Sequence, residues 1–362
     1  MSREMSRVVV FGSALAVTFA VAIGASTSPR AAGERDPRAP IDGPTRVTHD
    51  PFDPSDPSSC SVCHETTSEG TRGAVSDTSR SLCLTCHDDP ALAVGEGAHV
   101  HNAASGRCID CHNAHNATES SLLLAPPAQL CVQCHDDVQR AMKSAVPHGA
   151  LAGAASCTTC HAPHASREPR LLRQDTRALC TTCHASDAIV DHRGKSLVDI
   201  GARTRAAHVH APIETEGCTA CHAPHGGDRF RMLKQDFPSA FYAPYTREGY
   251  ALCFQCHEES LVEARVTTTA TDFRDGDQNL HAVHVDAGER GRTCRACHDV
   301  HGATQPHLLE ESVPFGSHGW RLPLNWRESE HGGSCAKTCH MVRSYDRTRP
   351  SSTNAPPIGT LR

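Results

Sequence analysis

Ten times along this chain two cysteines stand about one helical turn apart and a histidine follows at once. The sets are Cys60, Cys63 and His64; Cys83, Cys86 and His87; Cys108, Cys111 and His112; Cys131, Cys134 and His135; and Cys157, Cys160 and His161. They continue with Cys180, Cys183 and His184; Cys218, Cys221 and His222; Cys253, Cys256 and His257; Cys294, Cys297 and His298; and Cys335, Cys339 and His340, the last with one extra residue between its cysteines. Together they use all 20 cysteines. Disulfides need no histidine. Zinc ribbons are closed by four thiolates, which leaves ten histidines without a role. Covalent c-type haem needs the whole C-x-x-C-H set, two thioether links and one axial imidazole, and ten copies select that chemistry. Residues three or four apart share one face of a helical turn, so both sulfurs reach one porphyrin edge and the adjacent ring faces the iron.

A second axial ligand must come from elsewhere. Of 26 histidines, 16 lie outside the motifs, whereas only Met142, Met232 and Met341 lie beyond the first 25 residues. His115, His164, His225 and His301 each stand three residues after a motif histidine. His49, His101, His148, His210 and His284 precede the first motif of a pair, with His99, His208 and His281 as close alternates. His331 or His318 is available to the last pair, or His99 to the first; His192 and His307 are expected at the surface. The short 23-residue step from Cys157 to Cys180 predicts that His164 closes the haem on Cys180 and Cys183. By the same logic His148 closes the haem on Cys157 and Cys160. Two imidazoles block substrate binding and favour low potential.

The motifs come in pairs, and the pairs repeat. "CIDCHNAHNATESSLLLAPPAQLCVQCH" and "CTTCHAPHASREPRLLRQDTRALCTTCH" share C-x-x-C-H-x-x-H, a Leu-Leu step and a leucine before the second motif. Two later pairs repeat this with insertions, while in the first pair Thr67 stands where the extra histidine should be. On these motifs, over residues 49 to 340, the chain resembles the doubled-CXXCH-motif multihaem cytochromes c, decahaem members included. The resemblance implies an electron carrier with ten covalently attached haems c and bis-histidine iron. It implies redox partners too: a membrane quinol-oxidising cytochrome and an outer-membrane or extracellular acceptor. The alternative is a reductase of a small oxyanion with one open haem, sought first at Cys60 and Cys63.

The elements that must hold these groups are expected to be short. Hydrophobic residues are 38% and aromatic ones 4%, thin for a core of 362 residues unless cofactors fill it. Abundant Pro, Gly, Ser and Asp permit short α-helices and coil around stacked haems, with little or no β-sheet. Residues 1–25 read as a secretory signal peptide or N-terminal anchor, because Arg3 and Arg7 precede an apolar run from Val8 to Ala25. A Pro-rich tether is expected over 26–48, three haem-pair repeats over 49–192, two with insertions over 193–342, and a flexible tail over 343–362. The exported chain is expected in the periplasm or outside the cell. A formal net charge of −6 without a basic cluster speaks against nucleic acid.

Overall fold

The computed structural model describes residues 47–350 except 67–71, 76–79, 154–155, 187–188, 191–193, 195, 317–318 and 336–339. The expected signal peptide, nearly all of the tether, Thr67, His192, His318 and Cys339 therefore lie outside the described residues. Short helical turns, coil and small antiparallel sheets make up the described residues, and no closed barrel is found among them. Among the described residues no helix is long and apolar enough to cross a membrane.

From the second pair onward each first motif forms one tight turn: Cys108–Asp110, Ser156–Cys160, Cys218–Ala220 and Cys294–Ala296. In the second pair Cys111 N donates to the Cys108 carbonyl at 3.2 Å and His112 N to the same oxygen at 3.0 Å, which sets both thiols and the imidazole on one turn. Two of the second motifs are approached through a capped or proline-started helix. Asp175 accepts from Arg177 and Ala178 N ahead of Thr176–His184, and Pro127 opens Pro127–Leu130.

After each first motif from the second pair onward the chain turns back on itself. Ser121 and Leu122, Arg170 and Leu171, Arg231 and Met232, and His307 and Leu308 all have φ between 52° and 58°. The left-handed conformation costs an L-residue roughly 1–2 kcal/mol, so it persists only where surrounding bonds hold it. Those bonds repeat. Asn113, Ala162, Ala223 and Asp299 N donate to the carbonyls of Leu122, Leu171, Met232 and Leu308 at 2.7, 2.8, 2.8 and 3.0 Å.

Four two-stranded antiparallel ladders tie each repeat to the next. Val47–Thr48 pairs with Asn116–Ala117, His99–Val100 with Ala165–Ser166, Val146–Pro147 with Gly226–Gly227, and His208–Val209 with Gly302–Ala303. In every case the first strand runs directly into a histidine that precedes a pair, and the second directly follows a post-motif histidine one repeat later. Two of these junctions depend on glycine. A Cβ at Gly226 would stand 2.3 Å from the Ala141 carbonyl oxygen, and one at Gly302 would stand 2.2 Å from that of Arg203.

Buried hydrophobic residues among those described are few and mostly small. The one larger cluster packs Tyr250, Val262 and Val285 against Phe237, Tyr245, Phe254 and Cys294. Phe241 meets Phe315 edge-on, centroids 5.1 Å apart, so aromatic residues of both insertions pack on each other. The C-terminal stretch departs from expectation. Ser312–Phe315 and Trp320–Pro323 form a hairpin, and Arg327–Ser329, Gly332–Cys335 and Arg343–Asp346 a three-stranded sheet. Residues 343–346 are therefore sheet, not the start of a tail, because Tyr345 is buried at 8% exposure and its hydroxyl accepts from Trp326 Nε1 at 3.1 Å.

Candidate haem-ligand pairs

Every motif histidine faces one histidine from outside the motifs. The centroid separations are His49–His87 5.9 Å, His64–His115 6.0 Å, His101–His135 6.0 Å, His112–His164 5.8 Å and His148–His184 6.2 Å. The series continues with His161–His225 6.1 Å and His210–His257 6.2 Å, and with His222–His301, His281–His298 and His284–His340, each at 6.4 Å. The rings incline to each other by 12° to 46°. Two imidazoles on opposite sides of one metal, each bonded at about 2 Å, bring their centroids to about 6 Å. The donor set therefore fits a six-coordinate haem iron. Among the described residues no three or more of His, Cys, Asp and Glu gather into a closed cage.

The bonds behind the rings set which nitrogen faces the partner. Nδ1 of His112, His161, His222 and His298 donates to the carbonyl nine residues on, that of Ser121, Arg170, Arg231 and His307, at 2.8, 2.9, 3.0 and 2.7 Å. A carbonyl only accepts, so Nδ1 carries the proton and Nε2 keeps its lone pair. The left-handed turns thus aim those oxygens at the rings. Across the junctions His49 Nδ1 donates to the Ala114 carbonyl at 2.9 Å, and His148 and His210 bond in the same way to Pro224 and Val300. Burial holds His148, His164, His184, His210, His222, His225, His284 and His298 below the ordinary histidine range, and pushes His281 down to about 3. Such rings stay neutral and able to donate to a metal.

The pairing follows a rule the sequence did not reveal. The second motif of a repeat faces the histidine preceding its own repeat: His87 faces His49, His135 faces His101, His184 faces His148 and His257 faces His210. The first motif faces the post-motif histidine of the next repeat: His64 faces His115, His112 faces His164, His161 faces His225 and His222 faces His301. This corrects the expectation for His164, which lies against His112 and not His184, and for His148, which lies against His184 and not His161. Backbone pairing is the physical reason. His101 N donates to the His164 carbonyl at 2.9 Å, which fixes both rings at one junction and turns them toward the two motifs of a single repeat.

In the fifth repeat the helix Leu280–Val285 supplies both partners, His281 for His298 and His284 for His340. His281, weighed only as an alternate, therefore stands where His331 was expected. The His331 side chain is half exposed, 3.8 Å from Glu330, and its carbonyl accepts from Arg347 N at 2.8 Å, which holds it in the C-terminal sheet. His307 is exposed, and its contribution is the carbonyl that receives His298.

The cysteines bring successive motifs together in chain order. Burial and the Cys157 thiol push Cys131 up to about 11, and burial with the Cys108 thiol raises Cys83. The Cys218 thiol, then burial, raise Cys180, as Cys294 and burial raise Cys253. Each contact joins the second motif of one repeat to the first of the next. The Tyr250 hydroxyl, fully buried beside Cys253 and Cys294, has no protein hydrogen-bond partner.

Known proteins share this pattern. The family described as the doubled CXXCH motif matches residues 49–92, 101–140, 148–189, 210–261 and 284–315. The fifth match stops before the motif that begins at Cys335. A curated protein, Multiheme cytochrome MtrA of Shewanella baltica (strain OS185), is 27% identical over 234 residues, which is 64% of this chain. The chain spans 60% of that relative's length.

Proposed function

The chain belongs to the doubled-CXXCH family of multihaem c-type cytochromes, and from that membership we propose that it is an exported decahaem cytochrome that carries electrons along a file of ten bis-histidine sites. The ten facing histidine pairs carry this reading, since each motif has its own second ligand. The ten cysteine pairs would hold haem c, whose iron supplies a reversible one-electron couple. The chain's own part is geometric and electrostatic. Thioether links fix each site, Nδ1–H bonds to carbonyls orient the rings, and the contacts from Cys83 to Cys108, Cys131 to Cys157, Cys180 to Cys218 and Cys253 to Cys294 keep successive sites adjacent.

A small-oxyanion reductase needs one motif without a second imidazole. The first place to seek it, His64, has His115 at 6.0 Å. The signal-like segment supports export to the periplasm or beyond. Redox proteins are the proposed partners: a membrane quinol-oxidising cytochrome on one side and an outer-membrane or extracellular acceptor on the other.

Intact mass of the purified protein, read with its EPR spectrum, tests this. The expected mass is the processed chain plus ten haems, and the expected oxidised spectrum is low-spin throughout. Nine haems would mark the Cys335 motif as empty, and zinc in place of haem would end the cytochrome reading.

A further inference from the structure

His301 sits differently from the histidines whose Nδ1 bonds a carbonyl. Its Nδ1 lies 3.3 Å from Asp299 Oδ1, at the outer edge of hydrogen-bond range, and the same oxygen accepts from His301 N at 2.9 Å. One carboxylate oxygen thus grips the residue at backbone and ring together, and the His222–His301 pair inclines by only 12°. Asp299 occupies the position directly after a motif histidine. In the three other repeats that carry a post-motif histidine the equivalent residues are Asn113, Ala162 and Ala223, none of which carries charge.

Asp299 shares its counter-ion with a second carboxylate. Arg203 Nε lies 3.2 Å from Asp299 Oδ2, but the same guanidinium also pairs with Glu310, whose other oxygen is 3.4 Å from the half-exposed Arg321. Asp299 and Glu310 are largely buried, and Arg203 and Arg321 match them in charge, but it is Asp299 Oδ1 that stands against the His301 ring, at 3.3 Å. A carboxylate behind a metal-bound imidazole raises the basicity of that ligand. A more basic ligand favours the ferric state.

We propose that Asp299 is a positioning and tuning residue that lowers the potential of the site formed by Cys218, Cys221, His222 and His301, and so builds a reducing step into the seventh of the ten positions. The proposal rests on the bis-histidine reading above.

The test exchanges charge at constant shape in the full haem-loaded protein. Asp299→Asn should keep ten covalent haems, all low-spin, and shift one ferric/ferrous equilibrium about tenfold toward ferrous, which is about 59 mV upward for a one-electron couple in an EPR-monitored redox titration. Asn113 Oδ1 already accepts from His115 N at 2.9 Å, the same bond that Asp299 makes. Asn113→Asp should accordingly lower one midpoint, that of the site holding His64. Unchanged midpoints in either variant, or a midpoint shift that comes with a high-spin signal, would overturn the tuning role. His301→Ala separates the two readings. One high-spin site there, with a silent Asp299→Asn, sinks the tuning alone; no high-spin site sinks the ligand assignment itself.

Discussion

At the scale of single residues, a second ligand is defined by what stands behind it as much as by what it faces. His164 is placed by the backbone bond from His101 and faces His112 at 5.8 Å. His164→Ala should therefore leave ten covalent haems and make one high-spin. Adding His112→Ala should leave the count of disturbed haems at one, whereas adding His184→Ala should raise it to two. Resonance Raman marker bands count them, and the opposite pattern would refute the pairing. Proximal ligands could be read from the sequence because chemistry ties them to the cysteines at fixed spacing. The candidates for second ligand could be read too, because they recur at fixed offsets. Their partners could not, since periodic spacing is unchanged whether a ring serves its own repeat or its neighbour's. His281 adds a pH dependence. Its folded value of about 3 lies below the ordinary 6.5, so between those values the unfolded chain binds a proton that the folded chain refuses. Stability should fall as pH drops through that window, by up to about 1.4 kcal/mol per unit from this residue. Denaturant midpoints between pH 7 and 4 report it, and a flat profile would contradict the burial of the ring.

At the scale of elements, the left-handed turns and the two-residue ladders do the positioning. Arg170 is exposed with φ 58°, and its carbonyl receives His161 Nδ1. Arg170→Gly should preserve the spectrum and raise stability by up to about 1 kcal/mol, because glycine adopts that conformation freely. Arg170→Pro, locked near −65°, should misplace the carbonyl and weaken the site of His161. Thermal unfolding and the low-spin signal together distinguish the two. Gly226 probes a ladder. A Cβ 2.3 Å from the Ala141 oxygen forces Gly226–Gly227 away from Val146–Pro147, so Gly226→Ala should disturb two sites together, those of His161 and His184. A single disturbed site would mean that the ladder does not place both rings. The general character of these elements, short turns and coil, followed from composition. The ladders did not, because a two-residue strand has no hydrophobic alternation to reveal it.

At the scale of the whole molecule, the repeats are not independent beads. In an ordinary repeat array neighbours share only packing surface, whereas here the first motif of each of the first four repeats takes its facing histidine from the repeat that follows. Denaturant unfolding followed by the Soret band and by far-UV circular dichroism should therefore give coincident transitions; stepwise loss of sites before loss of secondary structure would contradict this. Thr67 lies outside the described residues, yet its place in the series is intelligible. By the pairing rule a histidine there would face no motif of the five repeats, and His64 takes its partner from His115 without it. The ladders also give the array a direction. Each junction is a tongue-and-groove joint, with the groove on the earlier unit and the tongue on the later one. In sequence the first unit carries Thr67 where the others carry the tongue's histidine, and the fifth unit closes its own groove with two histidines from one helix. A duplicated unit inserted at an internal joint would bring one tongue and one groove, so the file could be lengthened two sites at a time without redesigning either end.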